Sequence, residues 1–163
     1  MHNQLSVVII SKNEEKFIAD AVKSALFADE VLVLDSGSTD STCAVAQQLG
    51  AKVLHQDWLG FGAQKNKAVN LAKNNWVFVL DSDERITPEL QSEILNTLQE
   101  STVDGYYVAR LNNFFGKNIR HCGLYPDYSI RLFDRCKGRF NDVTVHESVQ
   151  IQGKIDKLKN HMI

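Results

Sequence analysis

The chain has 163 residues, a length that suits one domain with a sizeable buried core. Its composition, 44% hydrophobic and 23% charged, is that of an ordinary folded protein, and no stretch approaches the roughly 18 apolar residues of a spanning helix. A net charge of −2 removes the electrostatic case for nucleic acid or an anionic membrane as partner.

Leu5–Ile10 is a continuous apolar, β-branched run and predicts a strand buried on both faces. The polar turn Ser11-Lys12-Asn13-Glu14 follows, then a helix with Phe17, Ile18, Ala21, Val22, Ala25 and Leu26 on one face. Val31–Leu34 predicts a second strand that runs into Asp35-Ser36-Gly37-Ser38-Thr39-Asp40. Ser38, Thr39 or Asp40 caps the next helix, which stops at Gly50. Lys52–His55 predicts a third strand, and Gln64–Lys73 a helix entered through Gly60 and Gly62. Trp76–Leu80 predicts a fourth strand, closed by Asp81-Ser82-Asp83-Glu84, and a helix then runs from Pro88 to about Gln99.

From Gly105 the pattern changes. Gly105–Leu111, Tyr128–Asp134 and Thr144–Ile151 predict strands separated by turn residues. The expectation is an α/β fold with a mixed, mostly parallel sheet flanked by helices. Residues 1–163 are expected to form a single domain, with an alternating first part (1–100) and a strand-rich second part (101–163). The end, from Lys157 to Ile163, closes without a helix cap or polar tail, as expected of a chain cut short.

Three strands thus end in polar loops on one edge of the sheet, where open α/β sheets bind ligands. Neither G-x-G-x-x-G nor G-x-x-x-x-G-K-[ST] is present, which disfavours a dinucleotide fold and a P-loop. Carboxylates dominate the edge instead. Asp-x-Asp at Asp81 and Asp83 offers two hard oxygen ligands that suit Mg²⁺ or Mn²⁺ with a phosphate-bearing substrate; the plainer reading is a solvated turn opening the next helix. Cys43, Cys122 and Cys136 are odd in number and widely spaced, which points to a reducing compartment. His121-Cys122 with Cys136 lacks the paired spacing of a zinc site, and buried thiols are the plainer reading. No leader peptide is visible, so the expected location is the cytoplasm, with peripheral contact at the inner face of the membrane left open.

Taken in order, Val7–Glu15, Val33–Thr42, Gln64-Lys65-Asn66 and Leu80–Glu84 resemble the family 2 glycosyltransferases. Ser129–Arg135 and Val145-His146-Glu147 are similar to the branch that adds glucose or heptose to lipopolysaccharide core. The resemblance implies the GT-A fold, a nucleotide-diphosphate-sugar donor (a UDP-hexose above all), a glycan or glycolipid acceptor and inversion by direct displacement. It makes residues 1–100 the nucleotide-sugar-binding half and 101–163 the acceptor-side half, and places Ser11, Asn13, Glu14, Asp35, Gln64, Lys65, Asn66, Asp81, Ser82 and Asp83 on the donor. Asp83 is the implied direct metal ligand, with Asp81 on ribose or behind the metal and His161 a further candidate ligand. Glu147 is the implied general base. If Thr144–Ile151 is a plain strand, Glu147 shares a face with Val143, Val145 and Val149, a setting that raises a carboxyl pKa. The competing reading pairs Glu147 with Arg131 or Arg139. His146 orients Glu147 or the acceptor, or merely packs. Arg131 binds phosphate or forms a structural salt bridge, and Trp58 lines the sugar pocket or packs in the core. Tyr125 and Asp127 belong to an acceptor loop. A donor-binding module without transfer, a sugar nucleotidyltransferase and a flavodoxin-like or receiver domain are the other readings.

Overall fold

The apolar runs of the first hundred residues each become a strand, and the segments between them become helices. β1 (Leu5–Ser11), β2 (Glu30–Asp35), β3 (Lys52–His55) and β4 (Trp76–Asp81) alternate with α1 (Ile18–Ala25), α2 (Thr42–Gln48), α3 (Phe61–Leu71) and α4 (Pro88–Thr97). The later strands are β5 (Gly105–Arg110), β6 (Asn113–Phe114), β7 (Lys117–Asn118), β8 (Asp127–Asp134), β9 (Gly138–Phe140), β10 (Val149–Ile151) and β11 (Ile155–Met162). The computed structural model of the chain describes residues 3–111, 113–114, 117–118, 126–143 and 146–163.

Among these residues, seven strands form one sheet in the order β11-β5-β8-β4-β1-β2-β3. β3, β2, β1 and β4 run parallel, β8 lies antiparallel between β4 and β5, and β11 pairs with β5 in parallel. Strands β9 and β10 form a separate antiparallel pair. Successive side chains of a strand face opposite sides, and the core divides accordingly. Leu5, Val7, Ile9, Phe78 and Leu80 pack under α1, α2 and α4 with Ile18, Val22, Ala46, Leu90 and Ile94. Val8, Leu32, Leu34, Val77 and Val79 face α3 and the β9–β10 pair through Ala68, Val69, Phe140 and Val149. Gly62 sets how close that second layer comes: a Cβ there would stand 2.6 Å from the Asn141 carbonyl oxygen.

Several expectations are corrected. Phe17 and Leu26 are 45% and 48% exposed, because they flank α1 rather than lie within it. Strand β10 is confined to Val149–Ile151; residues 141–143 and 146–148 are irregular, and Thr144 and Val145 lie outside the described residues. His146 has φ 61°, which breaks the extended backbone on which alternation around Glu147 depended. The final residues form a strand, β11, that no apolar pattern announces. It lies at the sheet edge and buries only Leu158 and Met162. Helix α3 also begins three residues before Gln64, at Phe61, because Gly60 takes φ 95° and turns the chain directly into it.

Candidate active site

The strand registers bring the polar loops together. Ser11 lies beside Asp35 and Ile10 beside Asp81, so β1, β2 and β4 end at one level. Asn13, with φ 55°, then locks the first two loops to each other. Its backbone N–H donates to Ser38 Oγ at 2.8 Å and its side-chain oxygen accepts from Thr39 N–H at 2.8 Å. Asparagine tolerates this left-handed geometry better than most residues. The N-cap of α2 is Ser41 rather than Ser38, Thr39 or Asp40, and Asp40, just before it, accepts from the Thr42 N–H at 3.0 Å.

Asp35 is the knot of the second loop. It is buried, and its oxygens accept from Ser11 Oγ, Ser38 Oγ and the backbone N–H groups of Gly37 and Ser38. A carboxylate offers about four acceptor positions, so this set fills it. Burial pushes the Asp35 carboxyl up, but the bonds from Ser38, Ser11 and Gly37 outweigh it and hold the group below its ordinary value. A depressed acid contributes stability above its unfolded pKa, and the contribution is lost as pH falls through the folded one. Wild-type protein is therefore expected to lose stability progressively below about pH 4, and Asp35→Asn to flatten that limb in denaturant midpoints measured across pH. An unchanged limb would show that Asp35 is not the group responsible.

Two cavities open along the rim. One, of about 540 Å³, is lined by Ser11, Lys12, Glu14, Ser36, Trp58, Phe61, Ser82 and Asp83. The other, of about 620 Å³, is lined by Tyr107, Asp127, Tyr128, Ser129, Arg131, Phe140, His146 and Ser148. Lys65, Asp81, Arg110 and Glu147 line both and form the ridge between them. Trp58 is 47% exposed and stands edge-on to Phe61 with ring centroids 4.8 Å apart, which places it on the cavity wall rather than in the core.

Under the ridge runs a string of alternating charge. Asp127 meets Arg110 at 2.8 Å, Arg110 meets Glu84 at 3.4 Å and Glu84 meets Arg131 at 2.9 Å. Arg131 reaches Asp81 at 3.4 Å, and the Lys65 ammonium sits 2.9 Å from both Asp81 Oδ1 and Glu147 Oε1. Burial pushes the Glu84 carboxyl above its ordinary range, and the charge of Asp81 adds to this against Arg131. Asp81 goes the other way: burial would raise it, but Arg131 and Lys65 hold it low. Glu84 also accepts from the Asp81 N–H at 3.0 Å, which fixes the acidic turn.

The residues of Gln64-Lys65-Asn66 separate by helix direction. Gln64 accepts from Leu59 N–H and donates to the Gln56 carbonyl, bracing the loop before α3. Asn66 accepts from Phe140 N–H and donates to its carbonyl. Only Lys65 reaches the cavities, with its ammonium over the Phe140 ring, 5.6 Å from the centroid. Ser11, Glu14, Lys65, Asp81, Ser82, Asp83 and Glu147 are thus brought together, whereas Asn13, Asp35, Gln64 and Asn66 act on the loops behind them. Glu147 sits beside Lys65, not on an apolar strand face, and its partner is neither Arg131 nor Arg139; Arg139 lies 3.5 Å from Asp142. His161 is on β11, where its carbonyl accepts from Thr87 Oγ1, and it lines neither cavity.

Among the described residues no three His, Cys, Asp or Glu side chains cluster as a ready metal site. The donor chemistry nonetheless fits a hard cation at Asp83. Burial, then the charges of Asp83 and Asp40, push the neighbouring Glu14 carboxyl up, so this corner of the cavity carries excess negative charge. Both oxygens of Asp81 are already taken by cations. Cys43 is partly buried and Cys136 exposed, both as free thiols, which corrects the expectation of burial for Cys136; His121, Cys122 and Tyr125 lie outside the described residues. Glu84 belongs to the acidic turn marked in the sequence but was given no role there, and Arg110 was not singled out, since only their pairing across β4, β5 and β8 makes them part of the site.

A mixed, mostly parallel sheet with helices on both faces and an acidic rim at the ends of β1, β2 and β4 defines the GT-A class of glycosyltransferases. The chain belongs to glycosyltransferase family 2, whose sequence signature matches residues 6–153. An uncharacterized glycosyltransferase of Rickettsia felis is 35% identical over 164 residues, which cover 94% of this chain and 56% of that protein. The lipopolysaccharide core biosynthesis glycosyltransferase LpsC of Rhizobium meliloti is 30% identical over 158 residues, 93% of this chain and 58% of LpsC. Among solved structures, glucosyl-3-phosphoglycerate synthase from Mycobacterium tuberculosis, in complex with Mn²⁺, UDP and glucosyl-3-phosphoglycerate, superposes with a TM-score of 0.55 at 26% identity. That match covers 64% of this chain and 43% of the synthase. The chain therefore spans a little over half the length of these two sequence relatives. Family membership sets aside the nucleotidyltransferase and receiver-like readings. None of the described helices is long and apolar enough to cross a membrane.

Proposed function

We propose that this chain carries the donor site and the general base of an inverting glycosyltransferase that takes a UDP-hexose to a glycan acceptor of the lipopolysaccharide-core type. The observation that carries the reading is the meeting of two cavities at one ridge, with Asp81 on one flank of Lys65 and Glu147 on the other. The donor occupies the cavity of Ser11, Glu14, Ser82 and Asp83, with the sugar toward Trp58. The acceptor occupies the cavity of Asp127, Tyr128 and His146. Support for UDP comes from the synthase complex, and support for the acceptor class from LpsC. A lipid-linked acceptor would put the enzyme at the cytoplasmic face of a membrane.

In the reaction, Glu147 accepts the proton of an acceptor hydroxyl as that oxygen attacks the anomeric carbon. The carbon–oxygen bond to the diphosphate breaks, its electron pair leaves with UDP, and an α-linked donor yields a β-glycoside. Asp83 is the residue that would hold Mg²⁺ or Mn²⁺, and such a cation, when bound, offsets the charge of the departing diphosphate. Asp81 is tied down by Lys65 and Arg131 and His161 lies off the cavity, so Asp83 is the direct ligand in this reading. Ser82 donates to Glu14 and steadies the donor wall.

The test is thermal stabilisation by UDP-, GDP- and ADP-sugars with and without Mn²⁺. A ligand at a hundred times its dissociation constant adds about 2.7 kcal/mol of stability. UDP-sugars are expected to give the largest shift, the Mn²⁺-dependent part of which disappears in Asp83→Ala. A set of nucleotide sugars that leaves the wild type unmoved, or full Mn²⁺ dependence in the variant, would sink the reading.

A further inference from the structure

Lys65 is placed unlike an ordinary phosphate-binding lysine. Its side chain is 6% exposed, and its ammonium is held at 2.9 Å by Asp81 and at 2.9 Å by Glu147, residues 16 and 82 positions away in the chain. Neither backbone fixes Glu147 otherwise: residues 146–148 are irregular, and His146 turns the chain with a positive φ. The neighbouring Asn141–Ser148 contacts anchor the segment's end, with Ser148 N–H donating to Asn141 Oδ1 at 3.2 Å, but they do not set the glutamate rotamer. Lys65, by contrast, rises from a helix whose flanks are pinned by Gln64 and Asn66, and its ammonium sits over the Phe140 ring, 5.6 Å from the centroid. A rigid element here aims a group carried by an irregular one.

We infer that Lys65 is a positioning residue: its ammonium holds Glu147 Oε1 against Asp81, leaving Oε2 for the acceptor hydroxyl. The inference rests on the proposed role of Glu147 as base. It departs from a direct role for Lys65 on the donor phosphates, because the two anions that Nζ meets are carboxylates of the ridge. Tying the base to Asp81 fixes its distance from the donor side. Misplacement of a reacting group by about 1 Å can cost on the order of 100-fold in rate.

The experiment compares Lys65→Met, Lys65→Arg, Glu147→Gln and the double variant K65M/E147Q. UDP binding in Mn²⁺ is measured by calorimetry, and turnover as UDP release from the UDP-sugar chosen by thermal shift, with water as acceptor. Lys65→Met is expected to lower kcat on the order of 100-fold while the Kd for UDP and the donor KM stay within about threefold. Lys65→Arg should regain about tenfold, and adding Lys65→Met to Glu147→Gln should cost nothing further. A merely structural lysine would move stability without this split. A tenfold loss of UDP affinity with kcat retained, or losses that multiply in the double variant, would overturn the assignment. Should Lys65→Met not fold, Lys65→Gln takes its place. A wild type that binds UDP but releases none counts against the proposed reaction; Lys65 is then read from a crystal of the variant, where a displaced Glu147 carboxylate is expected and an unmoved one would refute the inference. Full turnover in Glu147→Gln sinks the base, and with it the purpose of the tie.

Discussion

Arg131→Met is expected to destabilise the protein by about 3–5 kcal/mol, the usual loss when one member of a buried ion pair is removed. The arginine and Glu84 side chains are 9% and 5% exposed, and their 2.9 Å contact lies beneath the acidic turn. Without the guanidinium, the cations left among the described residues are Arg110, 3.4 Å from Glu84, and Lys65 beside Asp81; Glu84 also keeps the Asp81 N–H at 3.0 Å. Arg131 also donates to the Val79 carbonyl at 3.3 Å and to Ser129 Oγ at 3.0 Å, so its removal loosens β4 as well as the charge string. For a chain of this size the loss corresponds to a fall in Tm of roughly 6–20 °C. Chemical denaturation of the variant checks it: a loss below about 1 kcal/mol would mean that the site relaxes or admits water, and that the string is not a buried structural element.

Glu147→Gln is the second large effect, and here the loss falls on rate. Turnover is expected to drop on the order of 10²–10⁴-fold, the range a positioned general base supplies. Stability should change little, since the amide oxygen still accepts from Lys65 and the side chain is only partly buried. UDP binding in Mn²⁺ should also survive, because the donor cavity is otherwise built by Ser11, Glu14, Ser82 and Asp83. Retention of wild-type turnover by the folded variant would assign the base elsewhere; Asp127, at the far end of the second cavity, is the next carboxylate to substitute.

Much of the frame was legible in the order of residues. Leu5–Ile10, Val31–Leu34 and Trp76–Leu80 are so nearly apolar throughout, Ser6 alone excepted, that burial on both faces, hence a parallel interior, is their most economical arrangement. Once these are parallel strands, Ser11, Asp35 and Asp81 must share a rim, and the observed register puts them there. What stayed hidden falls into two kinds. Strand β11 is legible only through its partner: an edge strand needs few apolar side chains, and its eight residues bury two. The division of labour within the site was hidden because it depends on pairings across the sheet. Nothing in the local sequence tells that Asp35 spends its oxygens on its own loop, that Lys65 turns to two carboxylates, or that Glu84 lies under two arginines. The irregular backbone at Glu147 defeated the alternation argument for a different reason. A run such as Val143–Val149 reads as a strand by composition, but positive φ at His146 interrupts it where the chain must bend toward α3.

The sheet's outermost strands also bear on how the molecule behaves in company. β11 lies at a margin of the sheet, where a second chain could add itself, but part of its backbone is already engaged: Glu93 accepts from the Lys159 and Asn160 N–H groups, Thr87 Oγ1 donates to the His161 carbonyl, and Ile86 bridges Met162. It carries exposed Lys157 and Lys159 there, with Lys154 just before it, while β3 at the opposite margin is four residues long and begins at exposed Lys52. Short length and spaced ammonium groups make an approaching strand desolvate charge before it can bond. Both margins of the described sheet are thereby shaped to oppose strand addition by another copy.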